Sequence, residues 1–177
     1  MSSTKFAPND FSVKKLDAQT DLSGFDCSEN DNLGLDEFIH KEALGYQKEG
    51  MGTTYLFYNS EKIVGYITVA MGSIGVKMTT LHLDIFGDKI RYPAILLGRL
   101  AVQNGLRRRA VGKCMTLWCI GLAQRLSAEI GCRFIVLVTK GESRIKFYNE
   151  CGFQESHIDQ KKKSGEEEMK MMYFQLF

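Results

Sequence analysis

The chain has little of several things, and each shortage excludes something. Its 177 residues hold two prolines, and no apolar run approaches the roughly 20 residues of a membrane-spanning helix, so no membrane association is expected. Charge of one sign is also missing. Twenty-three Lys and Arg against 21 Asp and Glu leave a net of +2, which argues against coating nucleic acid by bulk charge. The three histidines, His40, His82 and His157, lie far apart and pair with no cysteine at finger-like spacing, so no metal is expected. The cysteines (Cys27, Cys114, Cys119, Cys132 and Cys151) are odd in number and form no CxxC, which points to reduced thiols in the cytoplasm. Neither a GxxxxGK[ST] loop nor a GxGxxG fingerprint occurs, so two common phosphate-binding devices are excluded. The opening MSSTKFAPNDFS lacks the basic start and apolar core of a secretion signal.

What is present fits one domain spanning residues 1–177, with 44% hydrophobic and 25% charged residues and no internal repeat or long linker. Residues 10–17 alternate as a first strand. Ser28-Glu29-Asn30-Asp31 can cap a helix carrying Leu33, Leu35, Phe38, Ile39 and Leu44. Residues 53–58 and 63–71 read as a hairpin around Asn59-Ser60-Glu61-Lys62. Glycines break residues 72–92 into a strand end, a loop and one more short strand. Residues 94–102 (AILLGRLAV) are too continuously apolar for a half-exposed strand and predict one buried on both faces. A helix follows over about 110–130, with Val111, Cys114, Met115, Trp118, Leu122 and Leu126 as its buried stripe and Gly131 as its stop. Residues 133–139 form the next strand, and strand–helix–strand order implies parallel pairing. Residues 142–150 predict a short helix, 152–159 a strand, 161–168 a solvated connection and 169–177 a last strand.

Chemistry concentrates at Leu100 to Lys113. A buried strand ends, four residues intervene, and Arg107-Arg108-Arg109-Ala110-Val111-Gly112 runs into a helix. The first N–H groups of a helix lack intrahelical partners and carry partial positive charge. Small residues at Ala110 and Gly112 let a phosphate approach the backbone, and the arginines offer charge-assisted bonds to the same oxygens. The pattern describes a pyrophosphate site on a helix start. Three arginines beside a helix can also be nothing more than a solvated basic loop.

The segment resembles the acetyl-CoA motif of the GNAT acetyltransferase superfamily, Gln/Arg-x-x-Gly-x-Gly/Ala, with Ala110 where glycine is usual. Leu100-Ala101-Val102 is similar to the family strand before that motif. Phe147-Tyr148-Asn149-Glu150-Cys151-Gly152-Phe153 is similar to its FYxxxGF signature, while Gly141 stands where the family often has Asn. The segment Pro93 to Val102 resembles a branch containing toxins that acetylate the amino group of aminoacyl-tRNA. The resemblance implies an α/β fold, a mixed sheet of about seven strands flanked by helices and splayed at the strand ending Leu100–Val102.

It also implies roles. Acetyl-CoA is the co-substrate. The Leu100 backbone N–H would face the thioester oxygen, Ala101 and Val102 would lie along the pantetheine arm, and Arg107, Arg108, Arg109, Ala110, Val111, Gly112 and Lys113 would hold the pyrophosphate. Tyr148 would be the general acid, because a phenol near pKa ~10 stays protonated at neutral pH and can still supply a leaving thiolate. Phe147 is assigned to the core. No residue stands out as general base, His82, Asp84 and Glu142 being available but unpositioned. Expected partners are an amine acceptor such as aminoacyl-tRNA, a small antitoxin and a second copy in a homodimer. Two alternatives stand beside this: an acetyltransferase for a small-molecule or protein amine, and an inactive CoA-binding regulatory domain.

Overall fold

The computed structural model of the chain describes residues 5–75, 91–156 and 169–177. Among them the strands β1 (Ser12–Lys15), β2 (Thr53–Asn59), β3 (Lys62–Gly75), β4 (Arg91–Val102), β5 (Phe134–Thr139), β6 (Gln154–Glu155) and β7 (Lys170–Gln175) form one sheet, in the order β1-β2-β3-β4-β5-β7-β6. The helices are α1 (Leu35–Glu37), a π-helical turn (Phe38–Glu42), α2 (Ala43–Lys48), α3 (Val111–Ile130) and α4 (Glu142–Glu150). β4 and β5 pair in parallel as the strand–helix–strand order predicts, and β1–β2, β2–β3, β5–β7 and β6–β7 are antiparallel. This is the expected mixed α/β class. No helix is long and apolar enough to cross a membrane among the described residues.

The chain divides into two compact units, Met1–Ala70 with Leu97–Cys119, and Met71–Leu96 with Ile120–Phe177. In the first, the predicted hairpin turns at Ser60 and Glu61, both at positive φ (46° and 69°), the hand that matches strand twist. Its residues alternate between two faces. Leu56 and Tyr66 pack with Leu16, Phe25, Phe38, Ile39, Ala43 and Ala101. The Tyr66 hydroxyl donates to the Leu35 carbonyl at 2.7 Å, and burial pushes its phenol pKa up. On the other face Tyr55 and Phe57 meet Trp118 of α3 at ring distances of 4.8 and 5.4 Å. Gly65 belongs to that face, where a Cβ would stand 2.7 Å from both the Ala101 carbonyl oxygen and the Met115 sulfur.

Several boundaries differ from the sequence expectation. The first strand is shortened to Ser12–Lys15 because Pro8–Asp10 forms a 3-10 turn whose Asp10 carboxylate accepts the Ala7 N–H. The helix expected after Ser28 begins only at Leu35. Gly34 stands left-handed before it (φ 67°), and Asp31 spends its carboxylate on the N–H groups of Leu33 and Asp36. On α3 the deepest line is Val111, Met115, Cys119 and Ala123, with Leu122 and Leu126 only half-buried. Small side chains let that line approach the sheet closely. Gly131 ends α3 as expected, at φ 67° with its N–H on the Ser127 carbonyl.

The expectation of a β4 buried on both faces holds for its first half alone. Ala94, Ile95 and Leu97 are buried, whereas Gly98 is exposed and Arg99, Leu100 and Val102 are half-buried. The parallel ladder explains the change: it joins Ala94–Leu96 to Phe134–Val136 and no further. Around it the second unit builds a core of Ile74, Tyr92, Ala94, Phe134 and Val136, with Phe134 edge-on to Tyr92 and Tyr173 at 5.8 and 5.9 Å. The extra short strand expected within 72–92, the end of the 152–159 strand and the connection 161–168 lie outside the described residues.

Gly65→Ala is expected to destabilise the protein by about 1–3 kcal/mol, the usual consequence of overpacking a filled core. The urea midpoint measures it. Adding Met115→Ala should not recover the loss, because the Ala101 carbonyl, a backbone atom, cannot withdraw and truncating the fully buried Met115 opens a cavity.

Candidate active site

The open edge of β4 is built by simple alternation. Successive backbone N–H groups of a strand point to opposite edges. The Gln103 N–H donates to the Val64 carbonyl of β3 at 2.9 Å, so Ala101 also faces β3. The N–H groups of Leu100 and Val102 therefore face the other edge. No ladder partner meets them there among the described residues, since the pairing with β5 stops at Leu96. The thioester contact expected at Leu100 and the pantetheine contact expected at Val102 fall on two residues beyond the end of the β5 ladder.

The chain then turns at Gly105 (φ 76°), with the Leu106 N–H closing on the Gln103 carbonyl. A loop from the first quarter of the chain stitches this turn in place. The Gln103 side chain accepts the Asp26 N–H at 2.9 Å, the Asn104 N–H reaches the Asp26 carbonyl at 2.8 Å, and the Asn104 side chain accepts the Glu29 N–H at 3.3 Å. Arg107 Nη2 donates to the Cys27 carbonyl at 3.1 Å, so one face of this guanidinium holds the loop rather than a ligand. Ser28 donates its hydroxyl and N–H to the Asp26 carboxylate, which holds that carboxyl below its usual range. None of these partners carries a sequence motif.

Arg108 and Ala110 both adopt left-handed backbone, at φ 62° and 68°. The position where the family pattern has glycine is thus one where glycine would be unstrained. α3 begins immediately after, with the Cys114 N–H bonded to the Ala110 carbonyl. Its first turn leaves N–H groups without intrahelical partners beside the half-buried Gly112. Arg108 and Lys113 are exposed and in no salt bridge among the described residues. Arg109 is half-buried: its guanidinium lies 4.7 Å over the Phe6 ring, and its carbonyl accepts the Phe6 N–H. The N-terminal segment therefore braces the loop, a role the sequence did not signal. Left-handed turns, the bare donors of a helix start and the exposed cations Arg108 and Lys113 together make an anion cradle.

Tyr148 lies on α4 in the second unit. It is buried, while Phe147, assigned to the core from sequence, is only half-buried. The Tyr148 ring is flanked by Phe147 at 4.9 Å and Phe153 at 5.7 Å, and its carbonyl accepts the Phe153 N–H. Gly152 makes this return possible. Its φ is 92°, and a Cβ would meet the Phe174 ring at 3.1 Å. The glycine and final aromatic of FYxxxGF are thus the residues that fix the tyrosine ring. Of the candidate bases, Glu142 is exposed in the first turn of α4, and His82 and Asp84 lie outside the described residues. His40 bonds the Phe25 carbonyl at 3.0 Å, which is a structural role.

The five cysteines are buried and form no disulfide among the described residues. Burial and the nearby Asp36 carboxylate push the Cys27 thiol up to about 12, and burial alone does the same for Cys119. No group of three His, Cys, Asp or Glu side chains gathers in metal-binding geometry among the described residues.

No protein-family model matches the chain. A tRNA-acetylating toxin of Mycobacterium tuberculosis (strain ATCC 25618 / H37Rv) is 26% identical to it over 151 residues, covering 82% of this chain and 86% of that protein. Among solved structures, AtaT complexed with acetyl-methionyl-tRNAfMet matches with a TM-score of 0.75 at 19% identity, over 94% of this chain and 95% of that one. A tyrosine-to-phenylalanine mutant of the AtaT toxin, bound to the C-terminus of the antitoxin AtaR and to acetyl-CoA, matches with a TM-score of 0.68 at 17% identity, over 94% of both chains. The chain has the fold of these toxins.

Two outcomes follow from the site's chemistry. Ala110→Gly should relieve the left-handed strain and raise stability by about 0.5–1 kcal/mol, read as a higher melting temperature. Folded protein should resist alkylation at neutral pH, with all five thiols reacting only after unfolding, as mass spectrometry would count. Because the Cys27 and Cys119 thiols hold their protons in the folded state to about 12, the unfolded state releases them first. Stability should therefore fall as pH climbs above about 9.

Proposed function

We propose that this chain is an acetyl-CoA-dependent N-acetyltransferase that moves an acetyl group directly to a primary amine, the acceptor being the amino group of an aminoacyl-tRNA. One observation carries the enzymatic reading: a strand whose parallel ladder stops at Leu96 leads, through a left-handed turn, into a helix start beside Arg108 and Lys113, which are in no salt bridge among the described residues. A thioester attached to a pyrophosphate needs these two features in this order. The acceptor is supported by the likeness to the mycobacterial tRNA-acetylating toxin over most of both chains and by AtaT, solved with acetyl-methionyl-tRNAfMet.

In this reading Arg108, Lys113 and the N–H groups of Ala110, Val111 and Gly112 bind the pyrophosphate, with Arg107 and Arg109 adding positive field. The Val102 backbone bonds the pantetheine amide, with Ala101 beside it. The Leu100 N–H polarises the thioester carbonyl as oxyanion-type donor. The acceptor nitrogen forms the new C–N bond, the C–S bond breaks, and Tyr148 gives its proton to the departing sulfur. The nitrogen sheds its own proton to solvent. An α-amino group on an ester is a weaker base than a lysine and needs little help to lose that proton, in keeping with a reading that assigns no general base.

The whole of residues 1–177 acts as one acetyltransferase domain. It works in the cytoplasm, where charged tRNA is found, as a homodimer and under the control of a small antitoxin. AtaT, bound to the C-terminus of AtaR, is the precedent for that partner.

The decisive experiment offers labelled acetyl-CoA with charged tRNA, polyamines, free amino acids and peptides as competing acceptors. Label should appear on the aminoacyl end of tRNA and be lost when the ester is hydrolysed. Transfer to polyamines or peptides alone would replace this acceptor with a small or protein amine. Tyr148→Phe should bind acetyl-CoA normally and lose about 10²–10⁴-fold in turnover. Undiminished turnover would remove Tyr148 from the acid role.

A further inference from the structure

Arg99 is the single charged residue in the otherwise apolar run 94–102, and it is half-buried. Its guanidinium carbon lies 3.6 Å above the centre of the Phe38 ring and 5.3 Å from that of Tyr46. Face-on stacking satisfies the flat side of a guanidinium and leaves its N–H fork in the plane, free to bond outward. Yet no hydrogen bond or salt bridge engages Arg99 among the described residues. Asp31 and Asp36, which like Arg99 act on Tyr66, are engaged elsewhere. Asp36 accepts the Cys27 N–H and stands 3.9 Å from His40, and Asp31 accepts the N–H groups of Leu33 and Asp36. A half-buried cation stacked on a ring and unanswered among the described residues is a prepared anion site.

Its place in the fold says which anion. β3 shows the two sheet faces: Gly65 abuts Met115 of α3, while Tyr66, the next residue, packs with Phe38. Arg99 points to the Phe38 face, and Leu100 by alternation to the α3 face. The α3 face carries the helix start proposed to hold the co-substrate's pyrophosphate. An acceptor must therefore reach the Leu100 edge from the face where Arg99 stands, one residue before the proposed oxyanion donor. The π-helical turn at Phe38–Glu42 places the ring under the guanidinium, and such turns often mark working sites.

We propose that Arg99 binds a backbone phosphate of the acceptor strand, the phosphodiester on the 5′ side of the terminal adenosine, and so positions the aminoacyl group at the thioester. This rests on the aminoacyl-tRNA reading above. A planar fork matches two phosphate oxygens at once, which a lysine ammonium cannot do.

The test compares wild-type, Arg99→Lys and Arg99→Gln proteins on two acceptors, an aminoacyl-tRNA and a 3′-aminoacyl-adenosine nucleoside that carries no phosphate. With Arg99→Gln, KM for the tRNA should rise at least about 10-fold at unchanged kcat, with the salt slope of tRNA binding reduced by about one. Arg99→Lys should restore part of the loss. KM for the nucleoside, and affinity for acetyl-CoA, should be the same in all three. An equal rise in KM on both acceptors would mean that Arg99 only packs against Phe38, and would overturn the proposal, as would unchanged kinetics on tRNA. Wild-type protein inactive on both charged acceptors but active on another amine would remove the acceptor assignment itself. That result is visible before any variant is made.

Discussion

A backbone N–H must be bonded to something, and β4 has a partner along only part of one edge. Three pairs join it to β5, Ala94–Leu96 with Phe134–Val136, and after Leu96 the ladder is absent among the described residues. In an ordinary sheet this would be an unpaired defect, since open strand edges invite association. Here the stretch without a ladder coincides with Leu100 and Val102, the residues proposed to meet a thioester and its amide arm. The half-buried state of Arg99, Leu100 and Val102 and the exposure of Gly98 follow from the same interruption.

The loop beyond β4 shows how such a site is kept open without collapsing. Its left-handed residues Arg108 and Ala110 carry backbone strain, and its cations repel one another. Both costs are offset from a distance: the Asp26–Glu29 segment bonds Gln103 and Asn104, Cys27 receives Arg107, and Phe6 lies under Arg109. The N-terminal third of the unit therefore does two jobs. It supplies the aromatic corner for Arg99 and it clamps the arginine-rich loop proposed to bind phosphate.

Much of this was legible in sequence where one local rule dominates. The hairpin around Ser60, the long helix ending at Gly131 and the short helix Glu142–Glu150 lie where alternation, helical period and turn residues put them. The phosphate loop was readable because its chemistry is contiguous, from Leu100 to Lys113. What escaped was whatever depends on contacts distant in sequence. The capping signal at Ser28 was real as a turn-forming signal, but left-handed Gly34 separates it from the helix. The burial of β4 was over-read because hydrophobicity reports what a residue tolerates, whereas exposure depends on where a neighbouring strand stops. Phe6, Asp26 and Cys27 act through backbone groups and a ring face, and no motif announces them.

β7 occupies a position whose consequence is temporal. It follows β5 and β6 in sequence yet lies between them in the sheet, with Phe134 of β5 opposite Gln175 on one side and Gln154 of β6 opposite Tyr173 on the other. While the chain is being synthesised, β5 and β6 wait without this partner until residues 170–175 leave the ribosome. A sheet whose interior strand arrives after both of its neighbours closes late, and β5 and β6 acquire their shared edge in a single step.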